Sequence, residues 1–394
     1  MKCFELTPIA LAALLLCTQA YADTSTITQS GQANIAASAQ VGGTGNSINL
    51  SQTGTGNQAG TAAGNPGIDQ QSAQSSSVAA TQNGTQNTLL VQQYQTNKAT
   101  ANAQQIGTQN NATIEQTAGS HDYQSTVLQN GFANNASVQA ALAANTGALV
   151  SLGWANDTVD QAGNSNRATV LQTATIDSGY TMYQRGDNNS ATIAQSNQYG
   201  GAVNSAEIAQ SGSSNTASAF EDSNATTSAK IHQGMSGVTA TYTTVTSSAS
   251  VDQRRNSETS ALIDQSSTSA STAAITQADS LLSSAQILQT GSGHAANVSQ
   301  ASVQNSSALI SQSGNAQTAT ITQASGNQLY ANVTQSGAGD VALVTQSGQG
   351  NSAYITQTGW GGQNNVATIS QSASNYVASV TQTGSGNTAN INQH

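Results

Sequence analysis

One short unit recurs along almost the whole chain, and a repeat of this kind restricts the possible folds more than any single residue can. Its clearest copy runs from Gln346 to Gln357 and reads Gln-Ser-Gly-Gln-Gly-Asn-Ser-Ala-Tyr-Ile-Thr-Gln. The template is Gln-x-Gly-x-x-Asn-x-Ala-x-x-x-Gln, usually with Ile or Val two residues before the second Gln. Unbroken copies start at Gln29, Gln105, Gln161, Gln184, Gln346 and Gln382, and near-matches fill most of the gaps. From Gln253 to Gln393 the phased glutamines recur every 11 or 12 residues, with one step of 14.

Within the unit, Asn351, Ala353, Ile355 and Gln357 stand at every second position, with Ser352, Tyr354 and Thr356 between them. Period two is the mark of a strand with one buried and one wet face. The buried face carries one large apolar residue, one small one and an amide at each end. The Gly-rich stretch that follows, Thr358 to Gly362, can adopt the positive φ of a tight turn. Each unit therefore predicts one short strand and one turn, and two units, about 23 residues, make one rung of a flattened coil.

Composition supports a coil held by its backbone. Charged residues make up 6% and aromatic residues 4% of the 394, against roughly 25% charged in ordinary domains. Such a chain cannot fill a thick core with large side chains, which leaves a Gln/Asn-rich disordered polymer or a thin solenoid. Disorder has no reason to keep Asn, Ala, Ile and Gln in register, so the expected fold class is all-β, a β-solenoid of stacked strand-turn-strand rungs with amyloid-like cross-β pairing. Asn and Gln side chains entering the interior become satisfied by bonding along the stack. Each buried Ile adds ~1.5–3 kcal/mol, so one rung is marginal and many in register are cooperative.

Residues 1–22 stand apart. Lys2, the apolar run Ile9 to Cys17 and the Ala20-Tyr21-Ala22 cleavage pattern read as a secretory signal peptide, with the mature chain starting at Asp23. A lipoprotein reading at Cys17 is disfavoured by Leu16, where a small residue is wanted. Both cysteines, Cys3 and Cys17, fall in this leader, so the mature chain holds no disulfide. Loss of Lys2 and Glu5 leaves the formal charge at −10. With no basic cluster, nucleic acid is not an expected partner.

Residues 23–252 form a less regular repeat region and residues 253–394 the most regular one. The phase breaks over 53–69, where Asn65-Pro66-Gly67 signals a turn and Pro66 is expected in a loop. It loosens from Ala140 to Val159, around Leu142, Leu149, Leu152 and Trp154, and again over the Thr/Ser-rich 234–252. Glu221 stands where a Gln is expected, 11 residues after Gln210 and 12 before Gln233.

The template resembles the curlin repeat of curli subunits, the secreted amyloid proteins of bacterial biofilms, and covers nearly all of residues 25–393. The resemblance implies a structural subunit of extracellular curli-like fibres that serves biofilm matrix and adhesion. It implies export through an outer-membrane secretion channel to the cell surface. The implied partners are further copies of itself and other curli-like subunits, with no stable membrane insertion. The stacking ladder maps onto Asn34, Gln40, Asn110, Gln116, Asn166, Gln172, Asn189, Gln195, Asn351, Gln357, Asn387 and Gln393. The chain departs from the family in carrying several times the usual number of repeats, and in starting them within a few residues of Asp23.

No enzyme is expected, and no catalytic residue, metal ligand or cofactor site is assigned. His121, His232, His294 and His394 are scattered, and His294 occupies the Asn position of a unit. Asp157 with Asp160, and Glu221 with Asp222, read as solvated charges that discourage sideways aggregation. Trp360, in the enlarged turn Gly359-Trp360-Gly361-Gly362, reads as an aromatic folded onto its own rung rather than a glycan contact. Tyr330 and Tyr354 read as packing or inter-fibre contacts. Two other solenoid functions compete. An ice-binding face fits Thr26-Ile27-Thr28 and Thr320-Ile321-Thr322, but other units do not keep the Thr-x-Thr rank. A monomeric adhesin would need capped ends, whereas Gln393-His394 closes a full unit with no polar cap in sight.

Overall fold

The computed structural model describes residues 23–60, 66–117, 122–141, 157–175, 178–198, 204–236, 239–240, 244–360 and 363–394. The leader, His121, the four large apolar residues of the loose stretch and Gly361-Gly362 lie outside them. The chain forms two compact units, residues 1–174 and 175–394. Both are β-solenoids, and no helix occurs among the described residues.

In unit 1, one parallel sheet runs from Thr24–Gln32 through Ser47–Thr55, Ser77–Thr85, Thr100–Thr108 and Gln124–Phe132 to Thr158–Asn164. Its rungs are in register, so that Gln29, Gln52, Gln82, Gln105, Gln129 and Gln161 stack on one another. A second parallel sheet contains Thr88–Tyr94, Asn111–Thr117, Asn135–Ala141 and Arg167–Thr175. Unit 2 repeats the plan. Its first sheet runs from Ser178–Asp187 to Val377–Gly384 and its second from Ser190–Gln198 to Thr388–Gln393. Rungs lie about 23 residues apart; Gln289, Gln312 and Gln335, for example, follow one another at that spacing.

The core is the space between the two sheets, and the period-two pattern fills it as the sequence predicts. Asn351, Ala353, Ile355 and Gln357 are buried, while Ser352, Tyr354 and Thr356 are not. Ala and Ile or Val columns run through each unit, among them Ala308, Ala331 and Ala353, and Ile310, Val333 and Ile355. The interior is thin enough for a Gln amide on one sheet to reach the backbone of the other. Gln52 Nε2 donates to the Ile35 carbonyl at 2.9 Å, and Gln105 Nε2 to that of Thr88 at 2.9 Å.

Over 53–69 the unit is split rather than lost. Asn57 and Ala59 hold the first two inward positions, and Ile68 and Gln70 the last two. The short strands Gln58–Ala59 and Ile68–Gln71 both pair with Thr88–Tyr94, Ala59 opposite Leu89 and Ile68 opposite Val91. Pro66 lies outside the strands, in an isolated bridge to Gly60.

Candidate functional site

The glutamine column is a one-way chain of amides. In unit 1, Gln29 Nε2 donates to Gln52 Oε1 at 2.6 Å, Gln52 to Gln82 at 2.6 Å, Gln82 to Gln105 at 2.9 Å and Gln105 to Gln129 at 2.9 Å. On the second sheet Gln40, Gln70, Gln93 and Gln116 follow the same direction. Unit 2 keeps it, from Gln184 through Gln210, Gln233, Gln265, Gln289, Gln312, Gln335 and Gln357 to Gln382. Each amide thus accepts from the rung on its N-terminal side and donates to the next, so the stack has a polarity.

The asparagine corner combines a side-chain ladder, in which Asn87 Nδ2 donates to Asn57 Oδ1 at 3.0 Å and Asn110 Nδ2 to Asn87 Oδ1 at 3.2 Å, with bonds to the backbone. Asn57 Nδ2 donates to the Thr53 carbonyl four residues back and to the Gly84 carbonyl of the next rung, both at 3.0 Å, while its Oδ1 accepts the Asn87 N–H at 3.1 Å. One side chain closes its own turn and pins the next, satisfying donors and acceptors buried at the corner. The template glycine permits this. Gly107 has φ +114°, and a Cβ there would stand 2.1 Å from the Gly131 carbonyl oxygen. Only glycine allows the rungs to approach so closely at that angle.

The ladder residues read from the sequence fall into these two columns. Asn34, Asn110 and Asn166 occupy the corner that precedes the second sheet of unit 1; Asn34 and Asn110 bond the Gly54 and Gly131 carbonyls at 3.1 Å, and Asn166 N–H donates to Asn134 Oδ1. Asn189 and Asn387 occupy the equivalent corner of unit 2, where Asn189 Nδ2 reaches the Gly212 carbonyl at 3.0 Å and Asn387 Nδ2 the Asn365 Oδ1 at 3.0 Å. Asn351 sits at the other corner, its Oδ1 accepting the Tyr376 N–H at 2.9 Å. Gln40, Gln357 and Gln393 are in continuous amide chains. Three others meet a substituted position. Gln116 donates to Ser125 Oγ, because Ala140 stands at the next amide position. Gln172 accepts the Tyr123 hydroxyl, and Gln195 donates to Glu221 Oε2 at 2.7 Å.

Substituted positions imitate the template to different degrees. His294, buried at an Asn position, donates from Nε2 to the Thr290 carbonyl at 3.1 Å and accepts the Gln317 N–H at Nδ1 at 3.4 Å. This arrangement requires the neutral ring protonated on Nε2, and burial pushes its pKa below the usual histidine value. Asp340, another such position, accepts from Asn365 through Oδ1 but leaves Oδ2 buried without a hydrogen-bond partner.

Two charge assignments and one aromatic assignment need correction. Asp157 and Glu221 are not solvated; both are buried, because period two places them on the inward face. Glu221 is fully enclosed, and loss of solvent raises its carboxyl from 4.5 to about 8. Their neighbours Asp160 and Asp222 are part-exposed. Trp360 does not fold onto its rung: it is 79% exposed. Tyr330 and Tyr354 pack on the outer face with ring centroids 5.4 Å apart and ring planes tilted by 42°. His232 bonds Glu207 across neighbouring strands at 3.1 Å.

The residues present interlock rungs and assemble no group of three or more potential metal ligands among those described. No curated protein matches the chain. The family model of the curlin associated repeat matches twice, at residues 304–337 and 326–359, each match spanning rungs whose glutamines and alanines stack as described. Residues 304–359 therefore match the curlin associated repeat.

Proposed function

We propose that this chain is a structural subunit of extracellular curli-like amyloid fibres, joining copies end-on for biofilm matrix and surface adhesion. The curlin repeat and the β-solenoid fit a curli-like structural role and suggest a protein of the cell surface or beyond. Export would use the leader read in residues 1–22 and an outer-membrane channel, and other curli-like subunits are candidate partners.

The polarity of the amide chain carries the proposal. In the last described rung, Gln382 and Gln393 carry the outgoing Nε2 donors, which reach only the facing Val366 and Val377 carbonyls. In the first rung, Gln29 and Gln40 carry Oε1 acceptors that no earlier described rung supplies. One face thus offers donors where the other offers acceptors, and a head-to-tail contact of this kind propagates as a filament. The inward residues Ala389 and Ile391 are only half-buried, whereas Ala367 and Ile369 one rung earlier are buried. A further copy would cover them.

Ile391→Lys puts an unpaired charge on the interior side of that rung, while Asn392→Lys changes a side chain that faces water. Thioflavin-monitored growth on preformed seeds should slow severely or stop for Ile391→Lys and stay close to the parent for Asn392→Lys. Equal growth of the two variants would reject end-on docking.

A further inference from the structure

Among the described rungs of unit 2, the second-sheet amide chain is interrupted at Glu221. On its N-terminal side Gln195 Nε2 donates to Glu221 Oε2 at 2.7 Å. On its C-terminal side the chain resumes, with Gln253 donating to Gln277 at 2.7 Å, Gln277 to Gln300, Gln300 to Gln323, Gln323 to Gln346 and Gln346 to Gln371. Between them Glu221 is the strand partner of Gln253. The Gln253 side-chain oxygen is buried and accepts no hydrogen bond. In every intact step of this ladder an N–H fills that role. A carboxylate has none to offer and turns its own lone pairs toward another acceptor.

We infer that Glu221 is a proton-binding site within the solenoid: the folded rung takes up one proton there, and the resulting O–H donates to Gln253 Oε1, restoring the one-way chain. The acid supplies one donor and keeps one acceptor for Gln195, which is what the position requires. Burial points the same way, because the side chain is fully enclosed and its carboxyl is raised to about 8.

Among the described residues, the strands packed around Glu221 turn no other charged side chain inward. The inward residues of the strand on its N-terminal side are Ala191, Ile193 and Gln195, and those of the strand on its C-terminal side are Ala249, Val251 and Gln253. The first-sheet strands packed against it turn Ala206, Ile208 and Gln210, and Ala229, Ile231 and Gln233, inward. The titratable groups on these elements, Glu207, Asp222, Lys230, His232, Asp252 and Arg254, all occupy the alternate, outward positions. Thr227 Oγ1 donates to Glu221 Oε1 at 3.4 Å, a long contact that does not neutralise a charge.

Folding of unit 2 is therefore coupled to proton uptake. The folded-state carboxyl lies above its ordinary value of 4.5, so its contribution is complete below 4.5 and is lost as pH rises toward about 8. The test compares urea unfolding of the full chain with that of Glu221→Gln, which supplies the template amide and leaves every other titrating group in place. Across this window the unfolding equilibrium of the parent should rise by about tenfold per pH unit relative to the variant. Infrared difference spectra of the folded parent near pH 6 should show the carbonyl band of a buried carboxylic acid that Glu221→Gln lacks. Parallel pH profiles for the two chains, or no acid carbonyl band assignable to Glu221, would overturn the inference. The first readout reports folding and the second protonation, so neither depends on whether the chain polymerises.

Discussion

The Tyr123 hydroxyl donates a hydrogen bond to the Gln172 side-chain oxygen, crossing the interior of unit 1 at the level where Ala140 replaces the ladder glutamine. Tyr123 stands at a corner position that holds Asn46 and Ser76 in earlier rungs. One large side chain entering from the first sheet thus replaces an amide missing from the second. The pair preserves both volume and a donor, the two properties that a thin polar interior cannot lose cheaply.

That compensation makes the two sites interdependent. Ala140→Gln alone should overfill the rung and cost about 1–3 kcal/mol. Tyr123→Asn alone should leave a void and remove the hydroxyl donor, costing about 2–4 kcal/mol. Together they restore the template and should cost less than the sum of the singles. A double-mutant cycle by denaturant unfolding decides it; strictly additive effects would show that the residues do not compensate each other.

The glycine of the template should be the least replaceable position in the repeat. Gly314 has φ +114°, and a Cβ on it would lie 2.1 Å from the Gly337 carbonyl oxygen. Gly314→Ala must therefore bear both backbone strain, about 1–3 kcal/mol, and a local separation of rungs. We expect a loss of more than about 2 kcal/mol, against less than about 0.5 kcal/mol for Ser313→Ala on the exposed side of the same turn. Unfolding midpoints of the two variants measure the contrast.

How far the sequence reaches is visible in these same residues. Strand, turn and two-unit rung all follow from the spacing of Asn, Ala, Ile and Gln, since period two and glycine are local signals. Gln58–Ala59 and Ile68–Gln71 were not legible as halves of one unit, because an insertion hides a register that only pairing with Thr88–Tyr94 reveals. Asp157 and Glu221 read as surface charges because carboxylates are rarely enclosed, although the phase already placed Glu221 at a ladder position. Of the ladder residues, the amide chain through Gln357 needed only its phase. The Asn351 bonds to backbone in two directions depend on turn geometry that no spacing specifies. Nothing in the residue order shows that Tyr123 reaches Gln172.

His294 should make unit 2 sensitive to mild acid. Its Nδ1 accepts the Gln317 N–H and its pKa lies below the ordinary 6.5. Protonation would set a new N–H against that donor. The folded-state value being depressed, the stability contribution is present above 6.5 and is lost as pH falls through the folded value. His294→Asn keeps one donor and one acceptor at the corner without a titrating ring. Its unfolding midpoint relative to the parent should rise as pH drops from 7 toward 5, a trend opposite in sign to that of Glu221. A constant difference between the two chains across that range would reject the assignment.

Asp340 offers the converse test, a position where the natural residue is worse than the template. Its Oδ1 does what an asparagine oxygen does, accepting Asn365 Nδ2 at 2.9 Å and the Asn365 N–H at 3.3 Å. Its Oδ2 lies where an asparagine would place Nδ2. At Asn57 that nitrogen donates to the carbonyl four residues back and to the glycine carbonyl of the next rung. The equivalent partners here are Ser336 and Gly359, the latter packed against Asp340. Asp340→Asn changes one atom and no volume, converting a buried acceptor without a partner into a donor facing two acceptors. It should stabilise unit 2 by about 1–3 kcal/mol at neutral pH. Asp340→Leu removes the unpartnered oxygen but also the two bonds from Asn365, so it should not reproduce the gain. Denaturant midpoints of parent, Asp340→Asn and Asp340→Leu discriminate these effects, and an Asp340→Asn chain no more stable than the parent would show that the corner does not depend on its donor.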